Sequence, residues 1–114
     1  MDILSKSIKN KVVIVTGGTR GIGFATVKKF LDHGAKVALC GSRKETVDKA
    51  LEELNHINPN YDAIGFYPNL LDSNEVKEMV DKVLEKWGTI DILINNAGVI
   101  ISQYIPKVMR IFQR

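Results

Sequence analysis

The fold is decided by residues 11–23, which read Lys11-Val12-Val13-Ile14-Val15-Thr16-Gly17-Gly18-Thr19-Arg20-Gly21-Ile22-Gly23. The apolar run at the start of this stretch is β-branched, which suits a strand buried on both faces. Glycines that end a strand and open a helix bring free backbone N–H groups and the positive end of the helix dipole to one point. Anions bind at such a point. The stretch therefore predicts a phosphate-binding turn, although a merely tight turn would also explain the glycines.

Outward from this turn, strands and helices alternate along the chain. Further strands are predicted at residues 36–40, 63–68 and 90–94, and helices from about Gly21 to His33, from Ser42 through Leu54, and from Asp72 to a stop at Gly88. Crossovers of this kind are right-handed and give parallel strands with helices on both faces. The predicted fold class is therefore α/β, with a doubly wound parallel sheet.

The predicted helix ends carry recognisable signals. Ser42 with Glu45, and Asp72 with Glu75, have the spacing of a capping box ahead of the second and third helices. Gly34 lies where a left-handed residue would end the first helix.

Composition excludes several classes of protein. The 114 residues are 45% hydrophobic and 25% charged, as in ordinary globular domains. Apolar runs are far shorter than the roughly 20 residues of a membrane helix, and the N-terminus lacks the pattern of a signal peptide. A single cysteine, Cys40, excludes an internal disulfide and is typical of a reducing compartment. We therefore expect a cytoplasmic protein with no membrane partner.

The net charge of +3 comes entirely from the end of the chain. Residues 1–98 contain 13 basic and 13 acidic side chains, and the excess is Lys107, Arg110 and Arg114. A nucleic-acid-binding domain shows a basic face across its whole surface. The charge distribution therefore argues against a nucleic-acid partner.

Four features in order resemble the short-chain dehydrogenase/reductase family. They are the glycine turn with the spacing Gly17-x-x-x-Gly21-x-Gly23, Asn69-Leu70 after the third strand, Asp91-Ile92-Leu93-Ile94, and Asn95-Asn96-Ala97-Gly98. The resemblance covers about residues 8–99 and implies a Rossmann-like doubly wound parallel sheet with strand order 3-2-1-4, in which the later strands are missing. It implies hydride transfer between a nicotinamide cofactor and an alcohol or carbonyl substrate, with Asn69-Leu70 at the adenine and Asn95–Gly98 bordering the cofactor ribose. The cofactor-binding residues predicted in this way are Gly17, Thr19, Arg20, Gly21, Ile22, Gly23, Ser42, Arg43, Asn69, Leu70, Asn96, Ala97 and Gly98.

The residues after the second strand indicate which dinucleotide is bound. A carboxylate at this position bonds the ribose hydroxyls of NAD. The chain has Cys40-Gly41-Ser42-Arg43 there instead, with Arg20 in the turn nearby. Arginine forms charge-assisted hydrogen bonds to a phosphate, so the sequence favours NADP over NAD. Alternatively, Arg43 is a solvated residue of a first helical turn and Ser42 a helix cap.

The catalytic pair of the family is missing. The resemblance calls for Tyr-x-x-x-Lys, but Tyr61 is followed four residues later by Gly65, Tyr67 by Leu71, and Tyr104 by Val108. We therefore predict no catalytic residue, and we predict no metal site. The chain is expected to be the N-terminal NADP(H)-binding portion of such an oxidoreductase, inactive alone. The alternatives are a non-catalytic nucleotide-binding or protein-interaction module, and catalysis completed by another chain.

The last residues depart from the family. We divide the chain into a cofactor-binding half-domain, residues 1–98, and a divergent tail, residues 99–114. In the tail, Ile105, Val108, Met109 and Phe112 have helical spacing, which predicts a short basic amphipathic helix. With no strand beyond it, the fourth strand would be an edge with unpaired backbone groups, through which the chain could self-associate.

Overall fold

The computed structural model describes residues 7–97 and the strand at residues 110–113. Strands and helices alternate, and every predicted strand and helix within residues 7–97 is present. The elements are β1 (Val12–Thr16), α1 (Gly21–Asp32), β2 (Lys36–Cys40), α2 (Lys44–Ile57), β3 (Ala63–Phe66), α3 (Ser73–Trp87), β4 (Ile92–Asn95) and β5 (Arg110–Gln113).

The strands form one parallel sheet in the order β3-β2-β1-β4-β5. The α/β fold class and the predicted order 3-2-1-4 are therefore confirmed. The register brings the last residues of neighbouring strands together, since Thr16 pairs with Cys40 on one side and with Asn95 on the other. The loops that follow β1, β2, β3 and β4 consequently meet at the carboxyl-terminal end of the sheet.

The end of the chain differs from the prediction. Residues 110–113 form β5, which pairs in parallel with β4 from Ile92↔Arg110 to Asn95↔Gln113. The expected helix is therefore wrong for Phe112, and β4 is not the exposed edge that we predicted. A row of unpaired N–H and C=O groups is a template for another strand, which outweighs the weak helical periodicity of so short a segment. Ile105, Val108 and Met109 lie outside the described residues.

The core has one layer on each face of the sheet. Alternate side chains of β1 point to opposite faces, so Val13 and Val15 pack under α1 and α2, while Val12 and Ile14 pack under α3. All five residues of β1 are buried, as expected for a central parallel strand. The helices contribute one buried stripe each, made of Val27 and Leu31, of Val47, Ala50 and Leu54, and of Val76, Met79, Val80 and Val83.

The helix ends follow the sequence signals in two of three cases. Asp72 caps α3, accepting hydrogen bonds from the N–H groups of Asn74 and Glu75. Gly34 follows α1 with a φ of +85°, as predicted. The predicted Ser42 cap is wrong, because α2 begins one residue later with Arg43 at the N-cap and no side-chain cap. Burial of Val47, Ala50 and Leu54 against the sheet determines where this helix lies.

Within residues 7–97 and 110–113, the helices are too short or too polar to cross a bilayer. The same residues bring together no group of three or more side chains able to hold a metal ion.

Candidate functional site

The turn between β1 and α1 favours glycine at three positions, for two different reasons. Gly17 and Gly21 have φ values of +66° and +58°, which favour glycine. A Cβ atom added at Gly23 would lie 1.8 Å from the carbonyl oxygen of Gly17. The first turn of α1 therefore packs directly on the backbone of the preceding loop, which the Gly18 N–H anchors to the carbonyl of Cys40 at 3.0 Å.

The first N–H groups of α1 have no side-chain acceptor from a cap residue or from an acidic residue of the first turn. Arg20 is the N-cap residue but makes no side-chain cap, and the first turn contains no acidic side chain. The first N–H groups of a helix have no intrahelical partner. In contrast to α3, which Asp72 caps, α1 presents these donors together with its positive dipole end. This arrangement suits a phosphate group.

A cavity of about 560 Å³ opens at the carboxyl ends of the strands, beside this turn. Its wall comes from the β1–α1 turn, the end of β2, the β3–α3 loop and the residue after the Asn95-Asn96 pair. Ligands of doubly wound sheets bind outside the carboxyl ends of the strands. The lining residues are Gly17, Thr19, Arg20, Cys40, Gly41, Ser42, Tyr67, Pro68, Asn69, Leu70, Leu71, Glu75 and Ala97.

The structure brings together more than half of the residues predicted from the sequence. Those that line the cavity are Gly17, Thr19, Arg20, Ser42, Asn69, Leu70 and Ala97. Gly21 borders a second cavity of about 400 Å³ between α1 and α2, which shares Thr19 and Arg20 with the first. Ile22 is exposed, and Gly23 is buried beneath the turn. Gly98 lies outside the described residues.

Arg43 and Asn96 do not line the cavity. Arg43 is exposed at the start of α2, one residue beyond Ser42, which does line it. Asn96 lies behind the turn, with its Cβ 3.3 Å from the position of a Cβ at Gly17. Its side-chain oxygen and nitrogen are buried and have no hydrogen-bond partner within the described part of the chain. Buried amides are normally satisfied, so these two atoms are an exception among the described residues.

Sequence reasoning missed several residues of the wall. Tyr67, Leu71 and Glu75 lie on or beside the β3–α3 loop and face the cavity because this loop turns back along it. For Tyr67 and Leu71 the only sequence signal was their closeness to Asn69 and Leu70. For Glu75 the signal pointed elsewhere, since its spacing from Asp72 indicated a helix cap.

A buried hydrogen bond joins the ends of β1 and β4 at the floor of the site. The hydroxyl of Thr16, which is fully buried, donates to Oδ1 of Asn95 at 2.7 Å. The same hydroxyl oxygen accepts from the Ala97 N–H at 3.2 Å. One threonine therefore fixes both the end of β4 and the chain that follows it.

Replacing Thr16 by valine is expected to destabilise the fold by about 1–3 kcal/mol, because the Ala97 N–H loses its acceptor and Asn95 loses a buried donor. The free energy of unfolding from urea titration measures the effect. Thr26→Val is the matched control, since its hydroxyl donates only to the carbonyl of Ile22 on the exposed side of its own helix. Equal losses in both variants would contradict the role of Thr16.

Cys40 borders the cavity at the end of β2, but its thiol does not act as a nucleophile there. Its side chain is buried with its sulfur 3.2 Å from the sulfur of Met79. Burial raises the pKa of the Cys40 thiol to about 12. Because the thiolate is the nucleophilic form, this cysteine offers no nucleophile to the cavity.

The folded protein is therefore expected to resist alkylation by iodoacetamide at pH 8 and to react rapidly in urea. The thiol of the unfolded chain keeps its ordinary pKa of 9.0. The stability that this group contributes is complete below pH 9 and declines as the pH rises toward 12. Mass spectrometry of the alkylated chain measures the reaction, and rapid labelling of the folded protein at pH 8 would contradict the burial of Cys40.

Comparison with known proteins agrees with the geometry. The family model described as short chain dehydrogenase matches residues 11–110. A 3alpha-hydroxysteroid dehydrogenase of Mediterraneibacter gnavus is 58% identical over 92 residues, which are 81% of this chain and 37% of that protein. An NADPH-bound short chain oxidoreductase of Pseudomonas aeruginosa PAO1, described as containing an atypical catalytic center, matches with a TM-score of 0.76 and 34% identity, over 80% of this chain and 35% of that one.

A variant of actinorhodin polyketide ketoreductase, solved with NADPH, has a TM-score of 0.72 and 31% identity, over 78% of this chain and 33% of that one. The chain spans about a third of the length of the curated relatives that it matches. The family match covers most of the chain and includes every strand of the central parallel sheet except the end of β5. The chain therefore belongs to the short chain dehydrogenase family, whose members are oxidoreductases that bind a nicotinamide dinucleotide.

Proposed function

We propose that this chain is the NADP(H)-binding N-terminal portion of a short chain dehydrogenase. The proposal rests on the β1–α1 turn. There, Gly23 in the first turn of α1 packs on the Gly17 carbonyl, and the N-terminus of α1 has no side-chain cap. The turn opens into a cavity large enough for part of a dinucleotide. The two solved relatives that are named with NADPH support the same ligand class.

The residues present suit the pyrophosphate, a ribose and the adenosine end of the dinucleotide. We assign the pyrophosphate to the turn residues Gly17, Thr19, Gly21, Ile22 and Gly23, since free backbone donors suit phosphate oxygens. The unpartnered amide of Asn96 lies behind this turn, and we assign it, with Ala97 and Gly98, to the border of the cofactor ribose.

We assign the adenosine end of the ligand to the remaining residues of the cavity. Asn69 and Leu70 are assigned to the adenine, as the family resemblance implies. Arg20 and Ser42 line the cavity, with Arg43 next to Ser42, and we assign them to the 2′-phosphate of NADP. No carboxylate follows β2 to repel that phosphate.

When bound, the nicotinamide ring of the cofactor supplies or accepts a hydride in exchange with an alcohol or carbonyl group. The chain's own residues hold and orient the cofactor, and residues 1–114 contain no Tyr-x-x-x-Lys pair to move the proton. We therefore propose that the chain binds the cofactor without turnover. The division into a half-domain, residues 1–98, and a tail, residues 99–114, also stays a proposal.

We propose the reaction class of the family and no particular substrate. The match to the named hydroxysteroid dehydrogenase covers 37% of that protein, and the matched part of this chain carries the cofactor cavity.

Isothermal titration of the purified chain with NADPH tests the proposal. We expect saturable binding with one site per chain and weaker binding of NADH. A parallel assay with NADPH and a panel of carbonyl compounds is expected to show no oxidation above the protein-free rate. Absence of NADPH binding at millimolar concentration would overturn the proposed ligand, and turnover by the chain alone would overturn the proposed inactivity.

A further inference from the structure

The β3–α3 loop, residues 67–72, forms one wall of the cavity, and two of its large side chains are exposed to solvent. Leu71 is 83% exposed and Tyr67 is 51% exposed. Among the large apolar side chains of the loop, Leu70 alone packs against the core, and it is only partly buried. Hydrogen bonds therefore contribute to the shape of the rest of the loop.

Three hydrogen bonds define that shape, and one of them reaches outside the loop. Within it, the Leu71 N–H donates to Oδ1 of Asn69 at 3.0 Å, and the Asp72 N–H donates to the Asn69 carbonyl at 2.9 Å. The third is made by the backbone N–H of Asn69, which donates to Oε1 of Glu75 at 3.1 Å. Glu75 thus connects the start of the loop to the first turn of α3.

Glu75 does not have the role that its sequence position indicates. In a capping box the glutamate would accept from the N–H of Asp72, but that N–H bonds to Asn69 instead. The carboxylate turns toward the cavity, which it lines, and accepts from the loop. Because Asn69 also presents its side chain in this wall, the Glu75 bond fixes the backbone of a residue assigned to the adenine.

We propose that Glu75 is a positioning residue that holds the β3–α3 loop in the shape required for dinucleotide binding. The effect on affinity rests on the proposed function, whereas the effect on the loop does not. A loop that is already ordered loses less conformational entropy when the ligand binds. The hydrogen bond, and not the negative charge, is the part of Glu75 that does this.

Two substitutions separate the hydrogen bond from the charge. Glu75→Gln keeps an Oε1 acceptor and removes the charge, whereas Glu75→Ala removes both. Each loses the favourable interaction of a carboxylate with the α3 dipole, so this contribution cancels between them. Glu78→Ala is the matched control, since Glu78 lies one turn further along α3 and has no hydrogen bond to the loop among the described residues.

Amide hydrogen exchange of the ligand-free chain gives the first readout. We expect the Asn69 amide to exchange at least about threefold faster in Glu75→Ala, and at the wild-type rate in Glu75→Gln and Glu78→Ala. The amides of Val37 and Leu39 in β2 report any change in global stability. An unchanged Asn69 rate in Glu75→Ala, relative to these amides, would overturn the inference.

Titration with NADPH gives the second readout. We expect Glu75→Ala to raise the dissociation constant about threefold, with recovery in Glu75→Gln and no effect of Glu78→Ala. Faster Asn69 exchange with unchanged affinity would overturn the claimed effect on binding. A wild-type chain that binds no dinucleotide would contradict the proposed function, and the exchange rates would still decide whether Glu75 holds the loop.

Discussion

Replacing Arg20 by alanine is expected to weaken NADPH binding by about tenfold to a hundredfold while leaving NADH binding nearly unchanged. Arg20 lines the cavity at the uncapped N-terminus of α1, and no acidic side chain lies in the first turn of that helix. A hydrogen bond between two charged groups contributes more than a neutral one, and a difference of 1.4 kcal/mol is about tenfold in affinity. Only NADP carries the 2′-phosphate with which this guanidinium would pair. Competitive titration with the two reduced cofactors measures both constants.

The different positions of Arg20 and Arg43 predict losses of NADPH affinity of different size. Arg43→Ala is expected to have a smaller effect than Arg20→Ala, because Arg43 is exposed and does not line the cavity. Lys49→Ala serves as a charge-matched control, since Lys49 borders only the second cavity, between α1 and α2. Equal losses of NADPH and NADH affinity in Arg20→Ala would contradict the assignment of Arg20 to the 2′-phosphate.

Replacing Gly23 by alanine is expected to destabilise the fold by about 3 kcal/mol and to reduce NADPH affinity more than tenfold. The new Cβ would lie 1.8 Å from the carbonyl oxygen of Gly17 and 2.8 Å from its carbon. Both are backbone atoms, so no side chain can move aside to relieve the contact, and overpacking of this kind is costly. The turn must separate from α1, which also displaces the N–H groups that would bind phosphate. Urea unfolding and calorimetric titration measure the two effects.

Two other glycines distinguish this steric contact from backbone strain. A Cβ at Gly21 or at Gly88 would have no neighbour within 4 Å, although their φ values are +58° and +79°. Alanine at either position is therefore expected to cost only about 1–2 kcal/mol. Gly88→Ala, at the end of α3, should leave the cofactor affinity unchanged. A loss of stability in Gly23→Ala no larger than that in Gly88→Ala would show that the turn can relax around a methyl group.

The sequence predicted the sheet because its signals are local and strong. The β-branched run at β1 and the helical stripe of Val76, Met79, Val80 and Val83 each identify a buried element within a few residues. The order 3-2-1-4 was predicted from the resemblance to the doubly wound family and not from the local signals themselves. Some element boundaries were exact and the others were off by up to three residues, and the Ser42 cap was wrong, since tertiary packing moves helix starts.

The wall of the cavity was only partly predictable, since it joins residues distant in the chain. Seven of the predicted site residues were found in it through motif spacing. Tyr67, Leu71 and Glu75 were not found, because no periodicity distinguishes a loop residue that faces a cavity from one that faces solvent. The assignment of these side chains depends on how the β3–α3 loop turns after Pro68.

By itself, the sequence determined the alternation of elements, the glycine turn and the family, because each depends on the spacing of neighbouring residues. Only the tertiary structure decided which groups satisfy which backbone atoms. It paired β5 with β4, placed Gly23 on the Gly17 carbonyl, joined Thr16 to Asn95 across 79 residues, and directed Glu75 to Asn69 instead of Asp72. The physical reason is that the groups nearest to one another in space, whether they form hydrogen bonds or steric contacts, are set by the packed sheet and not by the order of residues.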